Sequence, residues 1–156
     1  DWISVVTKLL MICSPDMAFF GWKDAQQGLI VKRMVRDLNI PVKIEMCPTV
    51  REDDGVALSS RNAYLTKEQR AQAPRVYDAL CKVKEWHDEG LSVAHIRRRI
   101  IRHIQDAPDA RIDYVSIADM DSLEEVTKPR EGQVLLVAVA VFFGKARLID
   151  NIRFRW

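Results

Sequence analysis

Two short segments carry the residues best suited to chemistry. Gly55-Val-Ala-Leu-Ser-Ser-Arg-Asn62 puts two hydroxyls and a guanidinium just after a glycine-containing turn. Hydroxyls and turn amides donate hydrogen bonds to phosphate, and arginine binds it through two parallel bonds. Upstream, Phe20-Gly-Trp-Lys-Asp-Ala-Gln-Gln27 follows an apolar run and opens a helical pattern. Alone, a Ser-Ser-Arg is more often a polar turn, and a single lysine is more often solvated. An anion-binding cluster together with a strand-to-helix turn carrying Lys, Asp and Gln points to a nucleotide site.

The elements that must position these segments follow from hydrophobic periodicity. Residues 3–13 have helical spacing, with Val5, Val6, Leu9, Leu10 and Cys13 predicted on one face. Ser14-Pro15-Asp16 breaks that helix, and Met17–Phe20 reads as a buried parallel strand ended by Gly21. Asp24–Leu38 reads as a helix with Leu29, Ile30, Met34 and Leu38 inward, stopped by Asn39 and Pro41, and Val42–Met46 as the next strand. That succession is typical of a parallel α/β sheet. Two strands are too few for a doubly wound sheet, so further chain is expected to complete it.

A polar loop from Pro48 to Asn62 marks a boundary, giving expected domains 1–47 and 48–156. Thr66, Glu68 and Gln69 open a helix. A second is predicted from Pro74 to Gly90, with Val76, Leu80, Val83 and Trp86 inward. Ser92 caps a third, with Val93, Ile96, Ile100 and Ile104 on one face. Strands are predicted over Ile112–Ile117, Val134–Phe143 and Ala146–Ile152, the last two joined as a hairpin about Gly144-Lys145. The second half is therefore α+β.

Composition narrows the function. The 156 residues carry 24 basic and 22 acidic side chains, a net charge of +2, which argues against a dedicated nucleic-acid or membrane-surface protein. Arg97, Arg98, Arg99 and Arg102 read as a solvated helix face, since no aromatic residues interleave them. The longest apolar run, Val134–Phe143, has about half the ~20 residues of a membrane helix and reads as a buried strand. Cys13, Cys47 and Cys81 form no Cys-x-x-Cys pair. They are expected as core filler in a reduced, cytoplasmic protein. His95 and His103 lie too far apart for the i, i+4 pair that commonly grips a metal, so no metal site is expected.

Phe20–Gln27 and Gly55–Asn62 resemble the signature segments of the pantothenate synthetase family. Ala146-Arg-Leu-Ile-Asp-Asn151 and Ser4-Val-Val-Thr-Lys-Leu-Leu10 look like that family too, in the same order and register. The resemblance implies an α/β fold: the trailing part of a Rossmann-like parallel-sheet nucleotidyltransferase domain, then a small α+β domain with helices and a three-stranded antiparallel sheet. It implies an AMP-forming ligase that joins pantoate to β-alanine through a pantoyl-adenylate, with ATP as substrate, Mg²⁺ on its phosphates and a homodimeric state. By resemblance Lys23, Ser59, Ser60 and Arg61 are catalytic. Gly21, Trp22, Lys23, Asp24, Val50, Leu58, Ser59, Ser60 and Arg61 bind ATP, and Gln27 binds pantoate. Asp24 is placed either on the ribose or as a helix cap, and Val50 meets the adenine through its backbone.

Two departures qualify the likeness. Trp22 stands where the family usually has Glu or Gln. The family's His-x-Gly-His motif, which stabilises the adenylation transition state, has no counterpart here: His87, His95 and His103 lie in another context. The chain is thus expected to be a C-terminal part of a longer enzyme and inactive alone. The alternatives are a non-catalytic nucleotide-binding or dimerisation module, or another adenylate-forming nucleotidyltransferase with a different carboxylate.

Overall fold

The computed structural model describes residues 2–156, which fall into two compact units that divide between Thr49 and Val50. The architecture is α/β, with a small parallel sheet in the first unit and a three-stranded antiparallel sheet in the second.

In the first unit α1 (Trp2–Cys13) leads into β1 (Met17–Gly21), a 3-10 turn at Trp22–Asp24, α2 (Ala25–Asp37) and β2 (Lys43–Cys47). β1 and β2 pair in parallel, from Met17 opposite Lys43 to Gly21 opposite Cys47. The core gathers Leu10, Val31, Val35 and Ile44, with Ile3, Val6, Ala18, Phe20 and Met46 packed on it. Gly28 lets α2 approach the sheet: a Cβ there would lie 2.6 Å from Met46 Sδ and 3.5 Å from Phe20 Cβ.

Three expectations for this unit are corrected. The inner face of α1 is Ile3, Val6 and Leu10, while Val5 and Leu9 are 67% and 58% exposed. α1 is apolar nearly all round, so periodicity alone could not select the stripe. The buried face of α2 is Ala25, Gly28, Val31 and Val35, leaving Ile30 and Leu38 exposed. Small residues, not large ones, mark the side of closest approach. β1 is only half-buried, through Ala18 and Phe20 on one face, with Met17 and Phe19 exposed on the other.

In the second unit α3 (Lys67–Gln72), α4 (Pro74–Cys81), α5 (Val83–Asp88) and α6 (Val93–Gln105) precede β3 (Ala110–Asp119), β4 (Val134–Phe143) and β5 (Ala146–Arg155). Thr66 and Gln69 close a reciprocal capping box at α3, and the Ser92 side chain caps α6. The helix predicted from Pro74 to Gly90 is broken at Lys82, whose N–H bonds to the Asp78 and Leu80 carbonyls. The sheet order is β3-β4-β5, and Gly144 turns the β4–β5 hairpin with φ +56°. α6 sets Ile96, Ile100 and Ile104, each at most 1% exposed, into one core with Val137, Val139 and Val141 of β4. Each such side chain contributes about 1.5–3 kcal/mol by leaving water.

All three cysteines are exposed, which corrects their expected core role. Each is the last residue of its element, where the pattern of burial no longer constrains it. Among the described residues no helix is long and apolar enough to cross a membrane.

Candidate functional site

In the first unit the side chains singled out in the sequence gather where β1 hands over to α2. Gly21 ends the strand in extended geometry, and one 3-10 turn brings Lys23 and Asp24 to the N-terminus of α2. Peptide dipoles and unbonded N–H groups make that end attractive to anions. The Lys23 side chain is 18% exposed, and its Nζ lies 3.8 Å from Asp24 Oδ2. Asp24 occupies the cap position, yet its side chain makes no cap hydrogen bond. Its backbone (φ −100°, ψ 52°) departs from the extended geometry usual for a cap, so capping does not account for this residue. Gln27, in the first turn, is half-buried whereas Gln26 is exposed, and Trp22 is half-buried.

In the second unit the segment Val50–Leu58 folds as a tight hairpin. Leu58 N–H donates to the Val50 carbonyl at 2.9 Å, Glu52 N–H to Val56 at 2.9 Å, and Gly55 N–H to Glu52 at 2.8 Å. Gly55 at φ +90° makes the tip, and a Cβ there would lie 2.6 Å from Tyr77 Cδ1. Only glycine satisfies both the dihedral and the contact. The hairpin runs straight into Ser59, whose Oγ accepts the Arg61 N–H at 3.3 Å and caps the 3-10 turn Ser60–Tyr64. As acceptor in that bond, the Ser59 hydroxyl keeps its own proton to donate. Ser60 and Arg61 are exposed, and so are Val50 (67%) and Leu58 (57%) on the facing arms. One end of the hairpin thus presents two apolar side chains, two hydroxyls and a guanidinium.

The groups holding this loop escaped the sequence reading. Arg51 donates from Nη1 to Asp150 Oδ2 at 2.6 Å and from Nη2 to Oδ1 at 2.9 Å, and again from Nη1 to the Gly55 carbonyl at 2.9 Å. Its guanidinium lies 3.6 Å from the centre of the Tyr77 ring. Burial opposes the charged form of Arg51, but the Asp150 carboxylate outweighs it and raises the guanidinium above its ordinary range. On the outer side Arg70 donates to Asp54 Oδ2 at 2.5 Å and Glu52 Oε2 at 2.8 Å, which holds the Asp54 carboxyl below its ordinary value. Asn62 Nδ2 ties the following turn back to Glu52 and to the Ala57 carbonyl, each at 3.2 Å. The available signal was Asp150-Asn151, two polar residues inside a strand, both buried here.

The histidines have local partners. His103 Nε2 lies 2.6 Å from Asp78 Oδ2, His95 Nδ1 lies 2.8 Å from Ser92 Oγ, and the His87 ring meets Phe154 and Trp156 edge-on. Arg97 pairs with Glu125. Among the described residues no three His, Cys, Asp or Glu side chains cluster as a metal site.

Comparison with known proteins bears on the whole chain. Pantothenate synthetase of Clostridium acetobutylicum is 50% identical over 154 residues, 98% of this chain and 53% of that protein. The crystal structure of pantothenate synthetase from Thermus thermophilus superposes with a TM-score of 0.86 at 43% identity, covering 96% of this chain and 54% of that one. A pantoate-beta-alanine ligase from Francisella tularensis, crystallised with beta-gamma ATP and beta-alanine, gives a TM-score of 0.66 at 31% identity over 96% of this chain and 48% of that one. The chain therefore spans about half the length of the relatives it matches. The family model for pantoate-beta-alanine ligase covers residues 2–153, and this chain belongs to that family.

Proposed function

We propose that this chain supplies the phosphate- and pantoate-contacting part of an AMP-forming pantothenate synthetase. In the reaction, a pantoate carboxylate oxygen attacks the α-phosphorus of ATP and pyrophosphate leaves. The β-alanine amine then attacks the acyl carbon of the pantoyl-adenylate, releasing AMP and pantothenate. The observation that carries this reading is the preformed turn at Ser59–Arg61, which offers hydroxyls and an exposed guanidinium from a hairpin fixed at both sides.

Lys23, Ser59, Ser60 and Arg61 contact the ATP phosphates and meet the negative charge that grows as pyrophosphate departs. Asp24 accepts from the ribose, Gly21, Trp22 and Leu58 line the nucleotide, and Val50 meets the adenine through its backbone. Gln27, with both a donor and an acceptor, binds pantoate. The cationic and hydroxyl character of these residues suits a phosphate chain rather than a caged metal. Mg²⁺ would accompany ATP and supply charge shielding for its phosphates. Residues 1–47 are then the trailing part of a Rossmann-like domain, residues 48–156 a C-terminal α+β domain, and the working enzyme a cytoplasmic homodimer.

These 156 residues include no His-x-Gly-His sequence. The chain alone therefore makes no pantothenate and holds ATP only weakly, because differential stabilisation needs groups on both sides of the reacting phosphate. Three experiments test this. ATP titrated into the labelled chain should shift the amide resonances of Lys23 and Ser59–Arg61, and incubation with ATP, Mg²⁺, pantoate and β-alanine should yield no AMP. Grafted in place of the matching half of the Clostridium acetobutylicum relative, the chain should restore pantoyl-adenylate formation. Sustained turnover by the chain alone would overturn the two-sided mechanism. A folded graft that binds ATP yet makes no adenylate would leave a nucleotide-binding module instead.

A further inference from the structure

We infer that the pair of half-buried Arg51 and buried Asp150 is a positioning device for the Ser59–Arg61 turn. Its consequence for nucleotide binding rests on the phosphate role just proposed for that turn.

Val50–Leu58 has a few backbone bonds of its own and two exposed apolar side chains. An isolated hairpin of this kind is marginally stable in water. Its place must come from side chains that reach fixed elements. Arg51 reaches β5, where Asp150 is 5% exposed and sits in the middle of a strand paired along its length to β4. The two parallel bonds fix both the position and the plane of the guanidinium. The same guanidinium holds the hairpin tip through the Gly55 carbonyl, and Tyr77 of α4 closes over it. A single side chain therefore ties the tip, a helix and the middle of the edge strand β5 together. Ser59 begins immediately after the hairpin, so the orientation of Ser60 and Arg61 is inherited from it.

The outer contacts differ in kind. Arg70, Glu52 and Asp54 are partly exposed, with side-chain exposures of 29%, 36% and 40%. Exposed pairs contribute little and fade with salt. The pair at 18% and 5% exposure is the one that persists. Arg51 touches no atom assigned to the reaction, so it acts through the turn and is a positioning residue.

Removing Arg51 alone would strand a buried carboxylate and could unfold the unit, which would obscure the role. The informative variant is Arg51→Met with Asp150→Leu, because replacing a buried ion pair by apolar groups of similar volume commonly leaves stability intact. Hydrogen exchange in the whole 156-residue chain provides the main readout, and an ATP titration of the same samples the second. In the double variant the amides of Gly55, Val56, Leu58 and Asn62 should lose about tenfold in protection while those of Leu135–Val141 keep theirs. ATP affinity should fall by about tenfold as well, although neither residue is a phosphate ligand. Arg51→Lys, which keeps the charge but not the fork, should leave loop protection below the natural level.

Full loop protection in the double variant overturns the inference. So does an equal loss of protection in β4, since the pair would then serve the fold in general. Loop release in the double variant, with no ATP-dependent shift at Ser59–Arg61 in the natural chain, upholds the positioning role and sinks the phosphate reading.

Discussion

Gly55→Ala tests how tightly the hairpin tip is specified. At φ +90° an alanine sits in a region that L-residues rarely adopt, at a cost of about 1–2 kcal/mol. The new Cβ would also lie 2.6 Å from Tyr77 Cδ1, well inside van der Waals contact. That ring is not free to retreat, because the Arg51 guanidinium lies 3.6 Å from its centre. Overpacking of this kind costs a further ~1–3 kcal/mol. Together the second unit should lose about 2–5 kcal/mol, a large share of the ~5–15 kcal/mol that holds an ordinary domain. Gly90→Ala is the matched control: it has φ +81° and nothing within 4 Å of its Cβ, so it carries the dihedral cost alone. The gain from restricting the unfolded chain is common to both and cancels. Urea unfolding followed by tryptophan fluorescence should show Gly55→Ala less stable than Gly90→Ala by about 1–3 kcal/mol, and Tyr77→Ala should remove that difference. Equal midpoints for the two alanine variants would refute the argument, since the Tyr77 contact would then carry no energy.

Further outcomes follow from the site and its surroundings. In the grafted enzyme, Lys23→Ala or Arg61→Ala should slow adenylate formation roughly a hundred- to thousandfold with unfolding midpoints unchanged, and near-normal pyrophosphate release by either would withdraw its assignment. Asp119 is held below its ordinary pKa of 3.8, chiefly by the Ser122 N–H and next by the Gln133 side chain. Because the folded value is the lower one, its stabilisation is present above the unfolded value and drains away as pH falls through the folded one. Asp119→Asn should therefore flatten the acid limb of a stability–pH curve in that window and leave its shape at higher pH unchanged. Thr66→Ala opens the capping box of α3 and should cost about 0.5–2 kcal/mol by urea unfolding, with Thr66→Ser close to the natural chain.

Periodicity and punctuation carried most of the fold. Val134–Phe143 was legible as a strand from its length and apolar run, and Gly144-Lys145 as its turn, because both signals are local. Ser92 and Thr66 announced helix starts for the same reason. The faces of α1 and α2 were not legible. Each offers more than one apolar stripe, and the choice between them is made by what packs opposite. In α2 that choice follows Gly28, whose missing side chain lets Phe20 and Met46 come close, so the decisive residue is the one with the least hydrophobic surface. The break at Lys82 was hidden because Val76, Leu80, Val83 and Trp86 keep a nearly helical phase across it.

The candidate site divides along a similar line. Lys23 and Ser59–Arg61 stand out in sequence because each is polar and sits beside a local turn or helix-start signal. Arg51 stands eight residues before Ser59 and was passed over, since its purpose depends on Asp150, 99 residues further along. No local pattern links the two; only the path of β5 brings them together. Two arginines of one loop thus have opposite characters: Arg61 is exposed on a capped turn, while Arg51 is spent inward on a carboxylate, a carbonyl and a ring. This asymmetry makes their variants separable. Loss of Arg61 should weaken phosphate binding while hairpin protection stays intact, whereas loss of the Arg51–Asp150 pair should lower protection first and binding as a consequence. Exchange and affinity measured on the same samples distinguish a ligand-contacting arginine from a supporting one, and a loop in which both variants behaved alike would have no such division of roles.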